Sequence, residues 1–276
     1  MHLVIQGAAL GERDLEQLLQ LSGAREVRRL GPGACRLIGA REGPGITEHC
    51  ARAKLDFGFV PEDRKLSDMK LLAIDMDSTL ITIECIDEIA AMAGVKAEVS
   101  AITAAAMAGE IDYTESLRRR VGLLRGLEQT ALARVYDESL RLSPGAEAML
   151  AAMRASGIKI LLVSGGFTFF TERLRLRLGL DYATSNVLEV EGGRLTGRVI
   201  GDIVDAKAKA AKLRAVRDQL GIAKKAIIAI GDGANDLATM AEAGVSVAYR
   251  AKAVVRRKAD YTLDYAGLDG VLNLFD

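Results

Sequence analysis

Lys70-Leu71-Leu72-Ala73-Ile74-Asp75-Met76-Asp77-Ser78-Thr79 decides the fold. Leu71 to Ile74 is apolar at every position, not at every second one, and the run ends on an acid. A short strand that is apolar on both faces suits a parallel sheet with helices above and below it. Two later runs have the same form. Lys159-Ile160-Leu161-Leu162-Val163 leads into Ser164-Gly165-Gly166, and Ala226-Ile227-Ile228-Ala229-Ile230 leads into Gly231-Asp232-Gly233. Helical patterns over residues 146–155, 169–178 and 207–220 separate the runs. The expected fold is α/β, a doubly wound parallel sheet, and such sheets bind ligands beyond the carboxyl ends of their strands. All three runs carry their polar residues at that end, so three chain-distant groups should meet at one sheet edge.

About eighty residues lie between the first and second runs, more than one crossover helix needs. Residues 84–92, 98–107, 114–124 and 128–140 have helical patterns, so 82–143 is expected to be an inserted helical cap. The core is then 67–81 with 144–276. Residues 187–199 alternate around Gly192-Gly193 and predict a β-hairpin. Residues 1–66 form a small α+β unit of their own, with the order βαββα. Its second helix is expected over 47–57, and Pro61-Glu62-Asp63-Arg64-Lys65 reads as a linker. This order resembles an incomplete ACT-like regulatory domain, able to bind an amino acid, to mediate a homodimer or to pack on the core.

Composition narrows the chemistry. The 276 residues suffice for two domains, or for one large domain with an insertion. Lys plus Arg and Asp plus Glu are 37 each, so no basic excess exists to hold a nucleic acid or an anionic membrane. The longest stretch without charge, Ile160 to Thr171, is too short to cross a bilayer. The N-terminus has no signal-peptide pattern. Cys35, Cys50 and Cys85 form no CxxC and no paired framework, which points to a reducing cytoplasm. The two histidines, His2 and His49, leave neither a Ser-His-Asp triad nor a His-rich zinc site. Acid and base work falls to carboxylates, lysine, tyrosine or cysteine.

Asp75 and Asp77 stand two apart. On an extended chain their side chains point the same way. Two close carboxylates stay ionised together only beside cations, and oxygen-only ligands select a hard cation such as magnesium. Asp232 and Asp236 supply further oxygens. A lone DxD is more often an acidic strand end that caps a turn. DxDST after one strand, with SGG and GDGxND after two others, reverses those odds.

DMDST at 75–79, SGGF at 164–167, a lysine-bearing helix and GDGAND at 231–236 resemble, in this order, the four motifs of haloacid-dehalogenase-superfamily phosphotransferases. The resemblance covers about 67–276, with no departure in the core motifs. With Glu84 and the run Ser116-Leu117-Arg118-Arg119-Arg120-Val121, it narrows to the phosphoserine-hydrolysing members. It implies Mg2+-dependent hydrolysis of O-phospho-L-serine through an aspartyl-phosphate, the last step of serine biosynthesis. Asp75 would be the nucleophile and Asp77 the general acid and base. Metal ligands would be Asp75, Asp77 through its backbone carbonyl, and Asp232. Ser164 and Gly165 would hold a phosphate oxygen. Of Lys207, Lys209 and Lys212, the family spacing selects Lys209 to hold Asp75 and the phosphate together. Asn235 would touch phosphate or substrate, and Asp236 would orient Lys209 or a metal-bound water. Glu84 would face the substrate ammonium. An arginine fork suits its carboxylate, and the resemblance selects Arg120. Met76, Cys85, Met92, Met107 and Phe167 read as core packing or pocket wall.

Three other readings use the same motifs. One is a phosphotransferase to an acceptor such as homoserine. Another is a phosphatase for a different small monoester. The third is a non-catalytic binder of phosphoserine or serine, which would have no need of the Asp75/Asp77 pair.

Overall fold

The computed structural model describes residues 1–276. The chain divides into two compact units. The first comprises Met1–Leu72, Ser143–Lys159 and Ile222–Asp276, and the second Ala73–Leu142 and Ile160–Gly221.

The first unit opens with β1 (His2–Gln6), α1 (Glu12–Ser22), β2 (Glu26–Gly31), β3 (Ala34–Ile38), α2 (Ile46–Ala53) and β4 (Asp56–Val60). The four strands form an antiparallel sheet in the order β2-β3-β1-β4. Leu3, Ile5, Leu15, Leu18, Leu37, Ile46 and Cys50 make its buried core. Two details differ from the sequence reading. The second helix stops at Ala53, where Lys54 turns into the left-handed region (φ 54°). Phe57 then belongs to a fourth strand, β4, which pairs with β1 and alternates buried with half-buried residues. The pattern is therefore βαββαβ.

β5 (Leu71–Ile74) crosses the boundary between the units and is buried throughout. The second unit continues with four helices: α3 (Cys85–Met92), α4 (Lys96–Met107), α5 (Tyr113–Gly122) and α6 (Thr130–Arg134). The single helix expected to Leu140 breaks after Arg134 into a wider turn, closed by Leu140 N–H on the Val135 carbonyl at 3.0 Å. Asp112 caps α5 by accepting from Glu115 N–H at 2.8 Å. After α7 (Ala146–Ala155) of the first unit come β6 (Lys159–Phe167), α8 (Thr168–Leu178), β7 (Tyr182–Glu191), β8 (Arg194–Ile200) and α9 (Ala206–Leu220). β6 and β7 pair in parallel, and β7 with β8 forms the expected hairpin through Gly192 and Gly193, both left-handed. Met107, expected to pack, is exposed, whereas Met76, Cys85 and Phe167 are buried.

The first unit closes with β9 (Ile227–Gly231), β10 (Val245–Tyr249) and β11 (Tyr261–Leu263), paired in parallel. Strand order through β5 is β11-β10-β9-β5-β6-β7-β8. This is the α/β sheet that the three apolar runs predict, with each run on its own strand. No helix is long and apolar enough to cross a membrane.

Within the first unit, two buried charges fasten the four-stranded sheet to the end of the chain. Asp56 accepts from the backbone N–H groups of Asp264, Tyr265 and Ala266 at 2.8, 3.0 and 2.8 Å. Arg36, only 1% exposed, donates to the Asp276 carboxylate and to the carbonyls of Asn273 and Phe275. At Gly58 a side chain would lie 2.6 Å from the Tyr261 ring, so the backbones can approach this closely only because Gly58 has none. Asp56→Ala strands three N–H groups without an acceptor and should lower unfolding free energy by about 2–4 kcal/mol, as read by urea denaturation.

Candidate active site

The second unit carries a site that begins where β5 ends. Asp75 is extended (φ −74°, ψ 160°) and so is Asp77 (φ −65°, ψ 137°), but Ser78 is left-handed (φ 54°). The chain therefore doubles back. Leu80 N–H reaches the Asp75 carbonyl at 3.2 Å, and Ile81 N–H reaches that of Met76 at 3.0 Å. The simple extended DxD of the sequence reading becomes a tight turn. Left-handed backbone is costly for a residue with a side chain. Ser78 is held there by Ile83, whose carbonyl accepts its N–H at 3.1 Å, and by Glu84, which accepts its hydroxyl at 2.7 Å.

Asp75 is 6% exposed and Lys209 1%. Lys209 Nζ lies 3.0 Å from Asp75 Oδ1, and Met76 N–H donates to the same oxygen at 2.8 Å. Lys209 sits in the first turn of α9, whose N-cap Asp205 accepts from Ala208 N–H at 2.8 Å. Lys207 on the same helix is exposed and Lys212 half-buried.

Asp77 Oδ1 accepts from Cys85 N–H at 2.9 Å, at the start of α3. The Ser164 hydroxyl approaches Asp77 Oδ2 at 3.5 Å. Burial first, and the Glu84 carboxylate second, push the Asp77 carboxyl up to about 7. The Cys85 hydrogen bonds and the Lys209 charge oppose that rise. This carboxyl can hold a proton near neutrality and then release it.

Ser164 is 1% exposed near the end of β6 and accepts from Gly166 N–H at 2.9 Å. A side chain at Gly165 would meet the Tyr113 hydroxyl at 2.3 Å, and one at Gly166 would meet Asp77 Oδ2 at 2.6 Å. Both glycines are needed for close approach. β6 runs on through Phe167, so the turn expected at Ser164-Gly165-Gly166 belongs to the strand.

Two residues that the sequence reading did not single out converge on Gly165. Tyr113 OH donates to its carbonyl at 3.0 Å and Asn186 Nδ2 at 2.7 Å. Burial pushes the Tyr113 phenol up to about 12, so it remains a donor. The charges of Lys209, Arg120, Asp75 and Asp77 all act on this phenol. A helical spacing of seven between Tyr113 and Arg120 on α5 was the one signal for Tyr113. Asn186 had none. Arg120 is half-buried, with its Nε 3.4 Å from the Ser116 carbonyl. Arg118 and Arg119 are exposed, and Arg119 is paired with Glu115 at 2.6 Å. Glu84 is exposed at the N-cap of α3.

The GDGAND loop lies in the first unit, directly after β9. Asp236 is buried, accepts from Gly233 N–H at 3.0 Å and leaves no room for a side chain at Gly231. Asp232 and Asn235 are half-buried, and the Asp232 carbonyl accepts from Lys252 N–H at 3.0 Å.

Residues 72–241 match the model of the haloacid dehalogenase-like hydrolases, and residues 3–48 match that of a domain of unknown function. A phosphoserine phosphatase of Albidiferax ferrireducens is 55% identical over 79% of this chain and 94% of its own length. A haloacid dehalogenase family hydrolase from Salmonella enterica serovar Typhi is similar in structure, with a TM-score of 0.89 at 33% identity, over 100% of this chain and 99% of that one. A substrate-bound phosphoserine phosphatase has a TM-score of 0.71 at 36% identity, over 75% of this chain and 99% of its own.

The raised carboxyl of Asp77 sets a pH dependence for the metal-free protein. The folded state holds this proton more tightly than the unfolded chain, whose carboxyl has its ordinary value of 3.8. The resulting stability is complete below that value and is lost as pH rises through about 7. In a chelator, the melting temperature should therefore fall between pH 5 and pH 8. Asp77→Asn should flatten that fall and melt higher than wild type at pH 8. An unchanged slope would contradict the assignment.

Proposed function

The chain belongs to the haloacid dehalogenase-like hydrolases, and on that premise we propose that it hydrolyses O-phospho-L-serine to L-serine and phosphate. One observation carries the reading: a buried lysine 3.0 Å from a buried aspartate, beside a second carboxyl able to hold a proton at neutral pH. The likeness to phosphoserine phosphatases supports the choice of substrate.

Asp75 attacks phosphorus. The bond from phosphorus to the serine oxygen breaks, and Asp77 gives its proton to that oxygen. Asp77 then takes a proton from the water that attacks the aspartyl-phosphate, which returns Asp75 and releases phosphate. An anion attacking an anion is opposed by about 4 kcal/mol for each pair of unit charges ~4 Å apart, at an effective dielectric of ~20. The Lys209 ammonium offsets part of this. The Ser164 hydroxyl and the Gly165 N–H hold phosphoryl oxygens, with Asn235 beside them. Glu84 faces the substrate ammonium. Arg120 faces its carboxylate, which a guanidinium can grip with two parallel bonds.

The acidic residues fit a hard cation. Asp75, Asp232 and Asp236 each offer a carboxylate oxygen, and an all-oxygen donor set suits such an ion. We assign Asp75, the Asp77 carbonyl and Asp232 as ligands of Mg2+, with Asp236 orienting Lys209 or a bound water. When bound, the cation supplies positive charge to the phosphoryl oxygens as their charge shifts during transfer. Residues 82–143 act as the cap that excludes bulk water. In this reading residues 1–66 are an ACT-like unit that binds an amino acid, mediates a homodimer or packs on the core. The enzyme works in the cytoplasm on a small molecule, at the last step of serine biosynthesis.

Phosphate release from O-phospho-L-serine should require Mg2+ and stop with EDTA. Asp75→Asn should lower turnover by about 10³-fold or more and abolish the phosphoenzyme, with the melting temperature retained. Near-normal turnover in that variant would remove the assignment. Supplying homoserine and seeking O-phosphohomoserine by mass spectrometry separates hydrolysis from transfer.

Arg120→Ala should cost about 10- to 100-fold in kcat/KM for O-phospho-L-serine and leave a simple alkyl phosphate almost unaffected. Equal losses on both substrates would take Arg120 out of the carboxylate pocket.

A further inference from the structure

We propose that Asn186 is a positioning residue: it fixes the Gly165–Gly166 peptide so that Ser164 presents its hydroxyl proton to the phosphoryl group. The inference rests on the phosphatase reading for the role of Ser164, and on the geometry alone for the role of Asn186.

The end of β6 that holds Ser164 has little stiffness of its own. Close approach excludes side chains at Gly165 and Gly166, as a Cβ there would fall 2.3 Å from the Tyr113 hydroxyl or 2.6 Å from Asp77 Oδ2. Two successive glycines leave the backbone the widest freedom of any pair. The constraint therefore has to come from outside the segment: Asn186 supplies it from β7, and Tyr113 shares the same carbonyl. This residue is 1% exposed, on β7, in register with Phe167 of β6.

Both ends of the Asn186 amide are committed. Val204 N–H donates to Oδ1 at 2.8 Å, and Nδ2 donates to the Gly165 carbonyl at 2.7 Å. A backbone N–H can only donate and a carbonyl can only accept, so the amide has a single consistent orientation. The Gly165 carbonyl and the Gly166 N–H belong to one rigid peptide plane. Holding the carbonyl thus aims the N–H, which donates to Ser164 Oγ at 2.9 Å. With that acceptor site filled, the Ser164 hydroxyl directs its proton elsewhere. It lies 3.5 Å from Asp77 Oδ2, a long contact that a phosphoryl oxygen can replace. The other end of the amide holds Val204, one residue before Asp205, the N-cap of the helix that carries Lys209. One buried amide thereby ties the end of β6 beside Ser164 to the start of the lysine helix.

The test uses the full chain with Mg2+. In Asn186→Ala, kcat for O-phospho-L-serine should fall about 10- to 100-fold, as when an outer partner of a site is removed. Inorganic phosphate, titrated by calorimetry, should bind more weakly by a similar factor. Inhibition by L-serine, which has no phosphoryl group, should change less than about twofold. A merely structural role would weaken phosphate and L-serine together, and that outcome would overturn the proposal. So would a kcat and a phosphate affinity within about twofold of wild type. Asn186→Asp keeps the acceptor for Val204 N–H and nearly the same shape, so it carries the same measurements if the alanine variant does not fold. Should wild type itself release no phosphate from O-phospho-L-serine, the substrate reading fails, and phosphate calorimetry on the variants alone decides the role of Asn186.

Discussion

The second unit is arranged around one interaction, the ion pair of Lys209 and Asp75 with almost no access to water. Taking both charges out of solvent costs several kcal/mol each. At an effective dielectric of ~20, their mutual attraction at this range returns only about 5 kcal/mol. Such a pair adds little net stability, and removing one partner leaves an uncompensated charge inside the protein. The fold bears that cost to keep a carboxylate ionised, dry and aimed. The surroundings follow from this. α9 must begin where its first turn can deliver Lys209, hence the Asp205 cap. β5 must end without a residue to spare, hence the abrupt turn through a left-handed Ser78.

Crowding is the second constraint. Tyr113 can close on Gly165, and Asp77 on Gly166, only because neither glycine carries a side chain. The same closeness raises the Asp77 carboxyl, since burial and the Glu84 charge both disfavour a further negative charge. Geometry and proton affinity are therefore one design problem here, and a substitution that loosens the packing also moves the proton.

The parts of this arrangement differ in how far they can be read from the sequence. Continuous apolar runs at 71–74, 160–163 and 227–230 mark buried parallel strands, because helices on both faces remove the usual alternation. Asp75, Asp77, Ser164 and Asp232 stand at the ends of those runs, where α/β sheets keep their ligands. Lys209 was legible through family spacing, since three lysines share its helix with no local feature to separate them. Two kinds of detail were illegible. β4 was hidden because Phe57-Gly58-Phe59 continues an apolar pattern begun in α2, and only the left-handed Lys54 separates the two elements. Asn186 and Tyr113 were hidden because their partner is a backbone carbonyl far along the chain, and a carbonyl leaves no trace in residue type.

Arg36 and the residues it binds near Asp276 are 240 positions apart. A ribosome delivers the four-stranded sheet long before it delivers those residues. The sheet gathers its own apolar core, yet the carboxylate that Arg36 is buried against, Asp276, lies far along the chain. A guanidinium buried against partners so distant in sequence makes the small sheet and residues 273–276 depend on each other, because freeing either one leaves a desolvated charge behind.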